Sequence, residues 1–342
     1  MENCSNSLKP TYCCIALLES CFMRCKMCYK WQEDVSVRHL DEPSFAQWMQ
    51  CIKDLAVLCA ENKPQMNFAG GEPLAMEETL ELIRHAEDLG FDALLATNAY
   101  LIDTIKAKEI AEAHLSNISI SLDGVNARTH DFMRGVEGSF LRVMKALDML
   151  SVYTPQTKIY LNSVITDINM KEIVDLVRWA EADGRIHGLG FQAVTQPFST
   201  PEQDDWYVDE KYAFLWPKDQ RLMAEVMDEM TALKETGNFR QPFKISNPAG
   251  QFKVYKRYFN DPAQFVKKIR CHLDTQAINI TPAGAVHICF YKPPIGNIKQ
   301  QSILQMWDSD EAVSVREQIR QCRKNCQSMV NCNFKDEEDY VV

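Results

Sequence analysis

The sequence predicts an α/β fold: a partial (β/α)6 barrel of parallel strands, followed by a small cysteine-rich C-terminal domain. Three observations carry this reading. Six short apolar runs alternate with helical periodicities over the first 195 residues, the pattern of parallel strands joined by right-handed crossovers. The chain has 342 residues, too many for one small domain and about right for a barrel with an appendage. Eight of its 13 cysteines fall into two groups, one straight after the first strand and one in the last 72 residues. The expected organisation is therefore a barrel over 1–195, a connecting segment over 196–270 and a cysteine-rich domain over 271–342.

Composition narrows the function. Forty-seven acidic against 37 basic residues leave a net charge of −10, which argues against a broad nucleic-acid footprint. Neither end of the chain shows a signal peptide or a long apolar run, so a cytoplasmic protein without membrane contact is expected. In such a chain, metal binding explains the cysteines better than disulfides do.

The first strand, Thr11–Leu18, feeds directly into Cys21-Phe22-Met23-Arg24-Cys25-Lys26-Met27-Cys28. Three thiolates in one short loop do not complete a structural zinc site, which needs four ligands. An iron–sulfur cube held by three cysteines keeps one iron open to a ligand. The competing reading is a zinc knuckle with a distant fourth ligand. Phe22, Met23, Met27, Tyr29 and Trp31 would restrict water around a cluster, and Arg24, Lys26 and Lys30 would offset its negative charge. Cys13 and Cys14 in the strand, and Cys51 and Cys59 on a helix over about Pro43–Ala60, read as packing residues.

A second strand, Gln65–Ala69, ends in Gly70-Gly71-Glu72-Pro73. Adjacent glycines permit close backbone approach to a ligand, and Pro73 stiffens the exit. Helices near Glu77–Asp88, Ile102–Ala113, Ser139–Ser151 and Lys171–Ala182 separate strands Ala93–Thr97, Ile118–Leu122, Lys158–Ile165 and Leu189–Val194. Chemistry on such barrels sits at the C-terminal strand ends. There the chain places Asn98, Ser119, Ser121, Asp123, His130, Asp131 and Arg134, with Asn162 and Gln192 on the last two strands. Ser121 and Asp123 have a plainer reading, as a strand cap and a turn.

CxxxCxxC after a first strand resembles the signature of the radical S-adenosylmethionine (radical SAM) superfamily. GGEP, 42 residues after Cys28, together with SISLDG and HDFMRG, is similar to further elements of that family. One departure is Met27 before the third cysteine, where the family usually has an aromatic residue. The resemblance implies a [4Fe–4S] cluster on Cys21, Cys25 and Cys28 whose open iron chelates SAM. It also implies that Gly70, Gly71, Glu72 and Pro73 grip the SAM amino group and that Ser121 and Arg134 hold its carboxylate. Asn98, Asn162 and Gln192 are placed in the same cofactor site by position. An electron donor such as flavodoxin or ferredoxin is the implied partner. No catalytic residue is singled out.

Residues 196–270 break the rhythm, with Trp206, Tyr207, Tyr212, Phe214 and Trp216 among acids and one helix over about Asp219–Glu235. Such a stretch suits a substrate lid or plain packing. Beyond it, Cys271 and Cys289 bracket a hairpin around Pro282-Ala283-Gly284, and Cys322, Cys326 and Cys332 close the group. This region resembles the SPASM/twitch extension, which implies an auxiliary [4Fe–4S] cluster. Five thiols suffice for one closed cluster with one left over, expected among Cys322, Cys326 and Cys332. Four cysteines suit zinc equally well.

The functional expectation is a radical SAM enzyme that abstracts hydrogen from a small polar metabolite resembling a sugar, an aminoglycoside or a nucleoside. The auxiliary cluster would assist dehydrogenation, epimerisation or decarboxylation. Modification of a ribosomally made peptide is the alternative. It is placed second because only about ten residues precede the first strand, too few for a leader-binding domain. A non-enzymatic zinc or iron–sulfur protein is the third reading.

Overall fold

Strand parity builds the sheet. On β1 (Tyr12–Leu18), Cys13, Ile15 and Leu17 are buried, while Cys14 and Ala16 between them keep partial exposure. The same alternation runs through β2 (Gln65–Gly70), β3 (Asp92–Thr97), β4 (Asn117–Ser121), β5 (Lys158–Ile165) and β6 (Gly188–Ala193). One face is therefore an apolar layer that packs against helices, with Met66, Phe68, Leu95, Ile118, Ile120, Ile159 and Leu161 in it. The opposite face carries smaller or polar residues, including Ala16, Ala69, Ala96, Ser119, Ser121, Asn162 and Gln192. A parallel sheet is normally apolar on both faces, so this second face is a lining. The computed structural model describes residues 9–28, 42–61, 63–197, 203–265, 271–324 and 326–331; Tyr29, Lys30, Trp31 and Cys332 lie outside them.

Six parallel strands in the order β6-β5-β4-β3-β2-β1 form the open barrel, and register places Ser121, Asn162 and Gly190 in one row across it. The crossovers are helices α1 (Phe45–Leu58), α2 (Thr79–Asp88), α3 (Thr104–Glu112), α4 (Ala127–Arg134), α5 (Ser139–Tyr153) and α6 (Ile173–Ala182). Their starts follow from capping chemistry. Ser44 and Gln47 form a capping box on α1, which moves its start past Pro43, and Asp103 and Asn126 cap α3 and α4.

The connecting segment holds two substantial helices, α7 (Gln220–Thr236) and α8 (Ala249–Asn260), followed by the single turns α9 (Pro262–Phe265) and α10 (Leu273–Gln276). Only the first of these is expected from sequence. Its aromatic stretch packs on itself: Trp206 and Trp216 are buried, and the Trp216 ring lies 5.1 Å from that of Tyr258 and 5.3 Å from that of Phe259. These rings form a core.

The C-terminal region holds both margins of the open barrel. β7 (Ala277–Ile280) adds in parallel to β1 and continues through antiparallel β8 (Ala285–His287) and β9 (Gly296–Asn297) into one nine-stranded sheet. Helices α11 (Ile303–Trp307) and α12 (Asp310–Arg320) follow. The buried Asp54 carboxylate of α1 accepts from Ser302 Oγ (2.6 Å) and Ile303 N (3.2 Å), fixing α11 against the barrel. At the other margin, among the described residues, β6 meets only a single parallel bridge, Leu189 to Ile245, yet its backbone is paired beyond it. Leu189 N donates to Lys244 O at 3.0 Å. The Asn247 side-chain amide bonds both N and O of Phe191, at 2.7 and 2.9 Å. Asn331 does the same for Ala193, at 2.8 and 2.9 Å. Two side-chain amides thus stand in for a seventh strand.

Candidate active site

The cysteine loop follows β1 and is shaped from two sides. From one side comes the end of β2. Gly71 N donates to Leu18 O (2.6 Å) and Glu72 N to Ser20 O (3.1 Å). Gly70 sits at φ +127°, and a Cβ there would lie 2.6 Å from Leu18 O; a Cβ on Gly71 would collide with the Ser20 carbonyl. The paired glycines are thus required by the approach of β2 to the chain entering the loop. From the other side comes the C-terminus of α4. Its carbonyls accept Arg24 N (Arg134 O, 3.0 Å) and Lys26 N (Met133 O, 2.8 Å). Gly135 ends α4 in the left-handed region (φ +67°), where any Cβ would strike the Arg24 carbonyl.

Within this frame Cys21, Cys25 and Cys28 lie in electrostatic reach of one another. Burial raises the thiols of Cys21, up to about 11, and of Cys25, on which Arg134 acts in the opposite sense. Arg134 Nη1 lies 3.9 Å from Cys25 Sγ, and Asn98 Nδ2 lies 3.9 Å from Cys21 Sγ. A cation and an amide donor aimed at sulfur are what a thiolate-ligated cluster needs from its surroundings, so the donor set fits an iron–sulfur group.

The sequence-derived residues divide into two kinds. Ser121, Asn162 and Gln192 lie on the lining face, at the ends of adjacent strands. Glu72 is turned inward instead. Its fully buried carboxylate accepts from Thr97 Oγ1 (2.6 Å), Asn98 N (2.8 Å) and Leu74 N (3.2 Å), so it ties the β2 and β3 ends together. Arg134 is also committed inward: its Nε lies 2.6 Å from Asp123 Oδ2, at an angle that makes an ion pair without a hydrogen bond. Sequence reasoning gave both a direct hold on SAM; it placed Asp123 at the strand ends without its pairing to Arg134, and it missed Thr97.

Between the loop and β6 lies a cavity of about 170 Å3, bounded by Met27 and Cys28 on one side and by Gln192, Thr195, Gln196 and Asn331 on the other. Asn331, in that wall, lies five residues after Cys326 of the second cysteine group. In that group Cys289, Cys326 and Cys322 lie in electrostatic reach of Cys271, whose thiol burial pushes up to about 11. These four thiols come from residues far apart in sequence, and among the described residues no three side chains converge closely enough to hold a single metal ion. Cys13, Cys51 and Cys59 form a separate buried set behind β1, where burial first of all keeps them protonated.

Comparison with known proteins agrees with this geometry. The radical SAM superfamily matches residues 15–180, and the iron–sulfur cluster-binding domain SPASM matches residues 271–333. An AdoMet-dependent heme synthase of Methanosarcina barkeri is 25% identical over 73% of this chain and 69% of its own. A PqqA peptide cyclase of Bradyrhizobium diazoefficiens is 24% identical over 96% of this chain and 80% of its own. Other relatives are matched over much less of their own length, down to 30%. The crystal structure of Streptococcus suis SuiB bound to S-adenosylmethionine shares the fold, with a TM-score of 0.69 at 15% identity over 97% of this chain and 76% of that one. No helix among the described residues is long and apolar enough to cross a membrane. The chain belongs to the radical SAM superfamily, as an enzyme of [4Fe–4S] cluster and SAM with a C-terminal SPASM iron–sulfur domain.

Proposed function

We propose that this enzyme abstracts a hydrogen atom from a small, uncharged, polar substrate seated between its two cysteine groups. The observation that carries this reading is the composition of the cavity wall. Gln192, Thr195 and Gln196 offer neutral donors and acceptors beside Cys28, set among the apolar Met27, Val164, Val194 and Pro197, a mixed wall that suits molecules with both hydroxyls and an apolar face, such as sugars or nucleosides. Cys21, Cys25 and Cys28 would hold the first cluster, and together with SAM that cluster supplies a 5′-deoxyadenosyl radical. The backbone of Gly70-Gly71-Glu72-Pro73, with Asn98, Ser121 and Asn162, would bind SAM along the lining face. The internally bonded Glu72 would act by fixing that backbone. Met27 and the alanines Ala16, Ala69 and Ala96 would keep water out while leaving room for the cofactor. Cys271, Cys289, Cys322, Cys326 and Cys332 supply the ligands for one auxiliary cluster with one thiol over, and an external one-electron donor completes the system.

A second reading is favoured by a different observation. Similarity to the peptide cyclase runs over 96% of this chain, so a peptide substrate fits the whole-length likeness. The two separate in one experiment on anaerobically reconstituted enzyme with SAM and a reductant. Pools of neutral polyols and nucleosides should stimulate release of 5′-deoxyadenosine, and deuterium from the matching labelled compound should appear in it. Stimulation by peptides alone would sink the small-substrate reading.

A further inference from the structure

Asp123, just beyond β4, is fully buried and bonded on every side. Its Oδ1 accepts Val164 N (3.0 Å), its N–H donates to His130 Nδ1 (3.2 Å), and its carbonyl accepts Asn169 Nδ2 (2.9 Å). That leaves Oδ2, which faces Arg134 Nε at 2.6 Å. The Arg134 side chain is only 11% exposed. Its Nη1 lies 3.9 Å from Cys25 Sγ, while its own carbonyl holds Arg24 N in the cysteine loop. A guanidinium this deep is unfavourable unless paired, and Asp123, Cys25 and the more distant Glu72 are the negative groups facing it.

Reducing an iron–sulfur cluster adds one negative charge, shared over its irons and sulfurs. A fixed cation against one of those sulfurs, where water is scarce, favours the reduced form, and a carboxylate behind the cation offsets part of that effect. We propose that Arg134 is a positioning and charge-setting residue for the cluster on Cys21, Cys25 and Cys28, and that Asp123 both holds Arg134 there and limits its influence on the potential. This rests on those three cysteines holding the cluster. It departs from the role expected of Arg134 by resemblance, a direct hold on the SAM carboxylate, because the side chain is engaged with Asp123 and Cys25.

The test is a redox titration followed by electron paramagnetic resonance on the full-length, anaerobically reconstituted protein with dithionite as electron source. The relevant cluster is recognised because SAM alters its signal. Arg134→Gln should move its midpoint potential down, Arg134→Lys should keep most of the wild-type value, and Asp123→Asn should move it up. Iron content and SAM affinity should stay close to wild type. Opposite shifts are the signature, since loosened packing around the cluster would move both variants the same way. If Arg134→Gln fails to assemble its cluster, the directions for Arg134→Lys and Asp123→Asn still decide. Shifts of equal sign, or an unmoved potential with SAM affinity lost, would overturn the proposal. A wild-type protein with no SAM-responsive signal would instead overturn the underlying assignment of the cluster.

Discussion

The two cysteine groups are built in opposite ways. The first is local: three thiols within eight residues, on a loop whose backbone is pinned by the β2 end and by α4. The second is assembled by tertiary structure, from thiols spread between residue 271 and residue 326, two of them flanking a hairpin and two following α12. The difference teaches where rigidity comes from. In the first group the protein shapes the loop by backbone hydrogen bonds that need no metal. In the second, the ligand segments are held by the hairpin, by α12 and by the turn at Gln327–Asn331, so the group they hold would itself tie these elements together.

The contrast is broken most severely by removing ligands. Changing Cys21, Cys25 and Cys28 to alanine should abolish 5′-deoxyadenosine formation while leaving a folded protein with about half of its roughly eight irons. Changing Cys271 and Cys289 should also halve the iron, but with a clear drop in thermal midpoint. Equal stability of the two variants would mean that the second group is as preformed as the first.

Next in size is Gly71→Ala. The added Cβ collides with the Ser20 carbonyl where β2 supports the loop, and a loss of roughly 2–4 kcal/mol in denaturant unfolding is expected. Gly250→Ala in α8, where a Cβ meets nothing within 4 Å, serves as the control and should be neutral or stabilising by up to about 1 kcal/mol.

A pH effect sharpens the picture of the first group. Burial, then the Arg134 charge, lowers His130 to about 4 against an ordinary 6.5, and the neutral ring accepts the Asp123 N–H. The unfolded chain therefore binds this proton more readily than the folded one between those pH values. Stability from this group is complete above about pH 6.5 and declines as pH falls toward 4, by about 3 kcal/mol at most. Unfolding measured across that window should show the decline, and His130→Gln should flatten it.

The smallest effect concerns the closure of β6 by the segment that follows Cys326. Asn331→Ala removes both bonds to Ala193 and should cost about 1–2 kcal/mol. Amide hydrogen exchange should rise at residues 191–196 while the cysteine loop stays protected.

How much of this was legible in the sequence depends on the range of the cause. Short apolar runs marked all six barrel strands, because each strand buries one full face. CxxxCxxC and the paired glycines could be read because ligand spacing and close approach are local. Helix α4 was missed although Asn126 and Gly135 bracket it; of its eight residues only Thr129, His130 and Met133 are buried, too few to give a periodic signal. Helix α8 was hidden because its rings Tyr258 and Phe259 pack on Trp216, more than forty residues earlier. The inward turn of Glu72 depends on Thr97 and Asn98, and the closure of β6 depends on Asn331, 138 residues away. No local pattern encodes such partners.

The parallel addition of β7 to β1 has a consequence for how the protein can be divided. In many two-domain proteins a linker can be cut and each half remains soluble. Here a chain ended near residue 270 would leave the N–H and C=O groups of β1 unpaired along one side, a long, regular template for another strand. An isolated barrel fragment would present that margin to any other strand, so the C-terminal region acts as a cover for the β1 edge, whatever its iron contributes to the chemistry.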